Sequence, residues 1–97
     1  MIDDLNSPLL IAEISANHDK SLKQVFKLID LSYRAGWNCV KLQTYNADSL
    51  TINSNHPSFK IDKIWGENNL YDLYKNASMP MEFHAPVFEK IKEYKMK

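Results

Sequence analysis

The sequence predicts an α/β fold built on a βαβ unit, and three observations carry that prediction. Two short apolar runs, LLIAEI at residues 9–14 and NCVKLQ at residues 38–43, have the length and composition of buried strands. Between them lies an amphipathic stretch with its own start and stop signals. The whole spans about 30 residues, the size of a strand–helix–strand crossover, so the strands are expected to be parallel and the connection right-handed.

In the helix between the runs, Ser21 and Gln24 have the S-x-x-Q spacing of a capping box. Leu22, Val25, Phe26, Ile29 and Tyr33 recur at helical spacing and make one apolar stripe. Gly36 suits the left-handed residue that closes a helix. From Thr44 to about Asn69 the pattern weakens into turn formers: Asn46, Asp48, Ser49, Asn53, Asn55 and Pro57. Leu70, Tyr71, Leu73 and Tyr74 indicate a short helix, and a last helix is expected over roughly 80–95 with Pro80 at its first position. Pro86 disturbs it. Inside a helix it removes a hydrogen bond and costs about 3 kcal/mol, so the helix either kinks there or starts nearer Pro86. The order is β-α-β-loop-α. Two parallel strands leave an edge unpaired and a face uncovered, as in the front piece of a larger parallel α/β protein.

Composition narrows the function. In 97 residues, 12 Lys plus Arg balance 12 Asp plus Glu with no basic block, which argues against a nucleic-acid footprint or an anionic membrane patch. No apolar run approaches the roughly 20 residues that span a bilayer. The start, MIDDLNSP, is acidic and lacks the apolar core of a signal peptide. The single cysteine, Cys39, has no internal disulfide partner, and a reducing cytoplasm fits best.

The two apolar runs also contain charge. Side chains alternate along a strand, so Leu9, Ile11 and Glu13 share one face while Leu10, Ala12 and Ile14 share the other. In the second run Cys39, Lys41 and Gln43 lie opposite Val40 and Leu42. The Leu10/Ala12/Ile14 and Val40/Leu42 faces suit packing against helices. The others turn polar only near their C-terminal ends, where parallel α/β folds hold ligands. Parallel neighbours lie about 5 Å apart, so Glu13 and Lys41 are expected to approach each other there.

The stretches PLLIAEISANHDKS, residues 8–21, and AGWNCVKLQTY, residues 35–45, resemble the opening of the sialic acid synthases. Those begin with a strand ending A-E-I-x-x-N-H and continue through A-G-A-D-x-x-K-x-Q-T. LYDLYKNASMPMEFHAPVFEKIKEY, residues 70–94, looks like the branch that makes pseudaminic acid, with its L-Y-x-L-Y-x-x-A-x-T-P-W-E-W-H-x-x-L-F pattern. The resemblance covers nearly the whole chain and implies the first part of a (β/α)8 barrel of the TIM type. The rest of the barrel and a C-terminal antifreeze-like domain would lie outside these residues.

The activity implied is condensation of phosphoenolpyruvate with an N-acylated amino sugar, a 2,4-diacetamido-trideoxy hexose in this branch, to a nine-carbon 2-keto acid and phosphate. The intact family enzymes are homodimers that use a divalent metal, manganese or magnesium, whose ligands are expected outside this chain. Glu13 corresponds to the carboxylate near the acceptor sugar and is the candidate catalytic residue, either binding sugar hydroxyls or moving a proton. Lys41 and Gln43 correspond to residues holding phosphoenolpyruvate, and Asn17 and His18 match the site-shaping N-H loop. The chain alone is expected to be inactive. The alternatives are an N-acetylneuraminate synthase-type enzyme, an aldolase on a similar barrel, or a non-catalytic module that self-associates.

The sequence departs from the pattern at Pro86, where the family carries an ordinary helix former, and in three motifs. N-H-N-G reads Asn17-His18-Asp19-Lys20, A-G-A-D reads Ala35-Gly36-Trp37-Asn38, and T-P-W-E-W-H reads Met79-Pro80-Met81-Glu82-Phe83-His84. His18, His56 and His84 have no close ligand spacing and are expected in loops, at the surface or in packing. Tyr71, Tyr74, Phe83 and Phe88 are expected in helix cores, and Trp65 is expected either to cover a pocket or to pack.

Overall fold

The computed structural model describes residues 7–66 and 69–97. The acidic start at residues 1–6 lies outside them. The elements run β1 (Ile11–Ser15), α1 (Leu22–Arg34), β2 (Cys39–Leu42), α2 (Ala47–Leu50), α3 (Leu70–Ala77) and α4 (His84–Glu93), with 3-10 turns at Pro57–Phe59, Lys63–Trp65 and Met81–Phe83. β1 and β2 pair in parallel with Ile11 opposite Cys39, Ala12 opposite Val40 and Glu13 opposite Lys41. Both strands are shorter than the apolar runs suggest. Leu10 precedes β1 and is 43% exposed, and its backbone is engaged by Asn38: its N–H donates to Asn38 Oδ1 at 2.8 Å and its carbonyl accepts from the Asn38 N–H. Gln43 follows β2 and is exposed.

The faces separate as the alternation predicts. Ile14 and Val40 are buried in the core with Val25 and Ile29 of α1 and Val87 and Ile91 of α4, and Ala12 and Leu42 pack against it. Burying a side chain of this size contributes about 1.5–3 kcal/mol, so this layer between sheet and helices holds the structure together. Tyr33 of α1 and Tyr94, just past α4, stack with ring centroids 4.4 Å apart, and the Tyr94 hydroxyl donates to Asp30 at 2.6 Å.

Only half of the expected capping box forms. Ser21 Oγ accepts from the Gln24 N–H at 3.2 Å, but the Ser21 N–H donates to the His18 carbonyl, which leaves no role there for the Gln24 side chain. Gly36 is left-handed at φ 91°, as its position demands. The last helix starts at His84 rather than near residue 80, after the 3-10 turn at Met81–Phe83. Pro86 therefore falls in the first turn of α4, where an N–H has no intrahelical acceptor, and it needs no kink.

The weakly patterned connection after β2 is ordered by local polar bonds. Asn46 caps α2, and Asn69 caps α3 while its amide donates to Asn53 Oδ1, the Ser54 carbonyl and Asn55 Oδ1 at 3.2–3.4 Å. Tyr45 meets Tyr74 edge to face at 5.8 Å. Trp65 is 59% exposed, and Phe88 is 61% exposed instead of lying in the core. At the far end, the Lys97 N–H donates to the Asn38 carbonyl at 3.0 Å and the Val40 N–H donates to the Lys97 carbonyl at 2.8 Å. These are the bonds of a third parallel strand on the β2 edge that β1 leaves open. No helix among the described residues is long and apolar enough to cross a membrane.

Candidate functional site

The site is built at the C-terminal ends of β1 and β2, on the sheet face turned away from the helices. Register places Glu13 directly opposite Lys41, and the ammonium sits 2.9 Å from Glu13 Oε2. The lysine's hydrogen bond holds the Glu13 carboxyl below its ordinary range, and bonds from the Ser15 hydroxyl and backbone N–H add to the effect. The carboxylate is therefore ionised at neutral pH. The two side chains are 37% and 61% exposed, so the pair stands open at the strand ends and is not sealed in a core.

Ser15 reaches Glu13 because the chain is irregular there. The register slips between Glu13 and Ser15, so Ile14 and Ser15 together face Leu42, and Ser15 has a left-handed φ of 51°. A bulge at this position bends the strand and re-aims its last side chain, and strained backbone of this kind clusters at functional sites. Sequence reasoning passed over Ser15. No residue-type signal marks it, since its role comes from the bulge.

Asn17 and His18 occupy the turn after β1. Asn17 uses its backbone and side-chain N–H groups on the Ile14 carbonyl, at 3.1 and 3.0 Å. His18 is 0% exposed, so it cannot touch a ligand in this structure. Its Nδ1 accepts from the Lys20 N–H at 2.9 Å, which places the ring proton on Nε2, a buried nitrogen for which the described residues provide no hydrogen-bond partner. Burial pushes its pKa down and keeps it neutral. Lys20 reaches the end of α3, donating to the Lys75 carbonyl at 2.7 Å. A cation there complements the helix dipole. The turn after β1 is thus fastened to the end of α3.

Thr44, next to Gln43, is a second residue that sequence reasoning passed over, although it lies within KLQTY. His84 Nδ1 bonds the Met81 carbonyl at 3.1 Å, so this nitrogen carries the proton, and Nε2 accepts from the Thr44 hydroxyl at 2.6 Å. The start of α4 in this way fixes the chain just beyond Lys41 and Gln43. Among the described residues, no group of three His, Cys, Asp or Glu side chains is placed to hold a metal ion.

Residues 28–97 match the NeuB family. The chain belongs to that family. It is 44% identical over 81 residues to the pseudaminic acid synthase of Campylobacter jejuni, an alignment covering 82% of this chain and 24% of the relative. It is 41% identical over 86 residues to the pseudaminic acid synthase of Helicobacter pylori, covering 88% of this chain and 25% of that protein. The spore coat polysaccharide biosynthesis protein SpsE of Bacillus subtilis is 31% identical over 84 residues, 87% of this chain and 22% of its own length. The NeuB-family chain described here spans about a quarter of the length of these curated relatives. The resemblance to sialic acid synthases, and to their pseudaminic acid branch, is borne out.

Proposed function

We propose that this chain is the opening segment of a pseudaminic acid synthase-type (β/α)8 barrel, and that the intact protein condenses phosphoenolpyruvate with an N-acylated amino sugar, releasing phosphate. The observation that carries the proposal is the Glu13–Lys41 pair, open at the ends of adjacent parallel strands in a chain 44% identical to a pseudaminic acid synthase. The parallel pairing of Lys97 on β2 supports a sheet that continues in the barrel sense.

In this reading Lys41 binds the phosphate or carboxylate of phosphoenolpyruvate as a point charge with three donors, and Gln43 orients it through its amide. Glu13, ionised and held by Lys41 and Ser15, accepts hydrogen bonds from sugar hydroxyl or amide groups instead of donating a proton. Asn17 and His18 shape the site by fixing the turn beside it. A divalent metal in the family enzyme would polarise the sugar carbonyl. The described residues offer it no ligand set. We place the intact protein in the cytoplasm as a homodimer.

The test is a chimera in which this chain replaces the matched quarter of the Campylobacter jejuni enzyme. It is expected to release phosphate only with phosphoenolpyruvate and the diacetamido sugar together, while the 97-residue chain alone releases none above background. Lys41→Ala in the chimera is expected to raise KM for phosphoenolpyruvate at least tenfold. Turnover of a mono-N-acetylated sugar in preference would assign the N-acetylneuraminate-type reading instead, and a folded chimera with no sugar-dependent phosphate release would sink the proposal.

A further inference from the structure

Ser15 closes β1 in a conformation that a side chain disfavours. Its φ is 51°, in the left-handed region, and the turn it opens runs to Ser21 without a glycine. Asp19 and Lys20 are left-handed in the same turn, at 49° and 52°. Lys20 is fastened to the end of α3 through the Lys75 carbonyl. Ser15 is fastened to Glu13 instead, its hydroxyl and its backbone N–H both donating to the carboxylate. The bulge permits the second of these bonds. In an unbroken ladder a backbone N–H lies in the plane of the sheet, directed at a neighbouring strand. The slip between Glu13 and Ser15 interrupts the ladder and leaves the group for the carboxylate.

Glu13 therefore has two kinds of partner. Lys41 reaches Oε2 at 2.9 Å from a long, 61% exposed side chain on the adjacent strand. Its ammonium is a point charge on a flexible stem, and an incoming phosphate or carboxylate competes for it. Ser15 offers neutral donors from a short side chain and from the backbone two residues away, so it stays in place whatever Lys41 binds. We infer that Ser15 is the positioning residue for Glu13, whose two donors keep the carboxylate aimed at the acceptor sugar when Lys41 turns to phosphoenolpyruvate. This role rests on the ones proposed above for Glu13 and Lys41. It also accounts for a serine at a left-handed position: glycine would relieve the strain and keep the backbone donor, but would lose the hydroxyl.

Ser15→Gly separates the hydroxyl from the fold, because glycine takes the left-handed conformation freely. In the 97-residue chain its urea midpoint is expected at or above the parent's. The titration midpoint of Glu13, read from its side-chain carboxyl resonance, is expected to rise, and to rise further in the double variant Lys41→Met/Ser15→Gly than in Lys41→Met alone. In the chimera with the Campylobacter jejuni enzyme, Ser15→Gly is expected to raise KM for the sugar about fivefold, the loss of one hydrogen bond, with KM for phosphoenolpyruvate unchanged. Ser15→Ala keeps a side chain at the left-handed position and lacks the hydroxyl, so it is expected to move the resonance and the sugar KM in the same direction. Equal Glu13 midpoints in Lys41→Met and the double variant overturn the role, as does a Ser15→Ala chain that titrates like the parent. So does a sugar KM that stays put, or a phosphoenolpyruvate KM raised as far as the sugar's. A urea midpoint well below the parent's makes Ser15 a structural residue instead. A parent chimera without sugar-dependent phosphate release fails the catalytic reading before Ser15 is changed, and the carboxyl titration still decides whether Ser15 holds Glu13.

Discussion

The Glu13–Lys41 contact is short, yet both groups are open to water, and exposed ion pairs add little to stability. In the proposed function its value lies in what it holds ready at the strand ends. Lys41→Met is expected to leave the urea midpoint essentially unchanged while raising the titration midpoint of Glu13 toward the ordinary glutamate value, read from its side-chain carboxyl resonance. If that resonance does not move, the lysine is not what holds the carboxylate. His18 is the opposite case, a buried imidazole whose pKa is lowered first by burial and then by the Lys20 charge, with Asp19 opposing. A lowered histidine value means that the unfolded chain takes up the proton more readily. The stability His18 contributes is therefore present above about pH 6.5 and is lost as pH falls from there through its folded value. Urea titrations between pH 7.5 and 5 are expected to show this decline, and His18→Gln is expected to flatten it.

At the scale of elements, the end of α4 shows sequence and geometry in mild conflict. The Lys95 N–H donates to the Lys92 carbonyl and the Met96 N–H to the Ile91 carbonyl, at 3.0 and 3.1 Å, which is the Schellman pattern. It is completed by contact between Met96 and Ile91 in the core, but the left-handed position is a lysine at φ 53°. A left-handed side chain costs roughly 1–2 kcal/mol, of which glycine's extra freedom in the unfolded chain gives back part. Lys95→Gly is expected to stabilise the chain by about 0.5–1 kcal/mol in chemical denaturation. The turn after β1 carries similar strain at Ser15, Asp19 and Lys20, with φ between 49° and 52°. There the side chains of Ser15 and Lys20 are engaged with Glu13 and the end of α3, so the strain is tied to the site.

At the scale of the molecule, the Cα radius of gyration is 16.1 Å and the principal extents are 49 × 27 × 23 Å. A compact chain of this length has a radius near 12.5 Å. One small core, centred on Val25, Ile29 and Val87, carries this extended shape. Ile29→Ala removes a fully buried side chain and is expected to cost about 2–5 kcal/mol. Single domains are stable by only about 5–15 kcal/mol, and smaller cores sit at the low end. The variant is expected to show lost near-ultraviolet dichroism at 25 °C, and a retained cooperative transition at the parent midpoint would contradict this account of the core.

Local order settled much of this fold. The alternation in LLIAEI and NCVKLQ fixed which faces are apolar, the stripe from Leu22 to Ile29 fixed α1, and Gly36 fixed its end, because each depends on near neighbours in the chain. The same alternation, with parallel pairing, brought Glu13 to Lys41. Other features required the assembled structure. The burial of His18 against α3, the His84–Thr44 bond and the Asn69 network all join groups that have no local reason to meet. Pro86 is harmless only because of where α4 begins, and the 61% exposure of Phe88 is not visible in the helical periodicity of its own segment. Periodicity reports which way a side chain points relative to its own element, whereas contacts between elements depend on how the core packs them together.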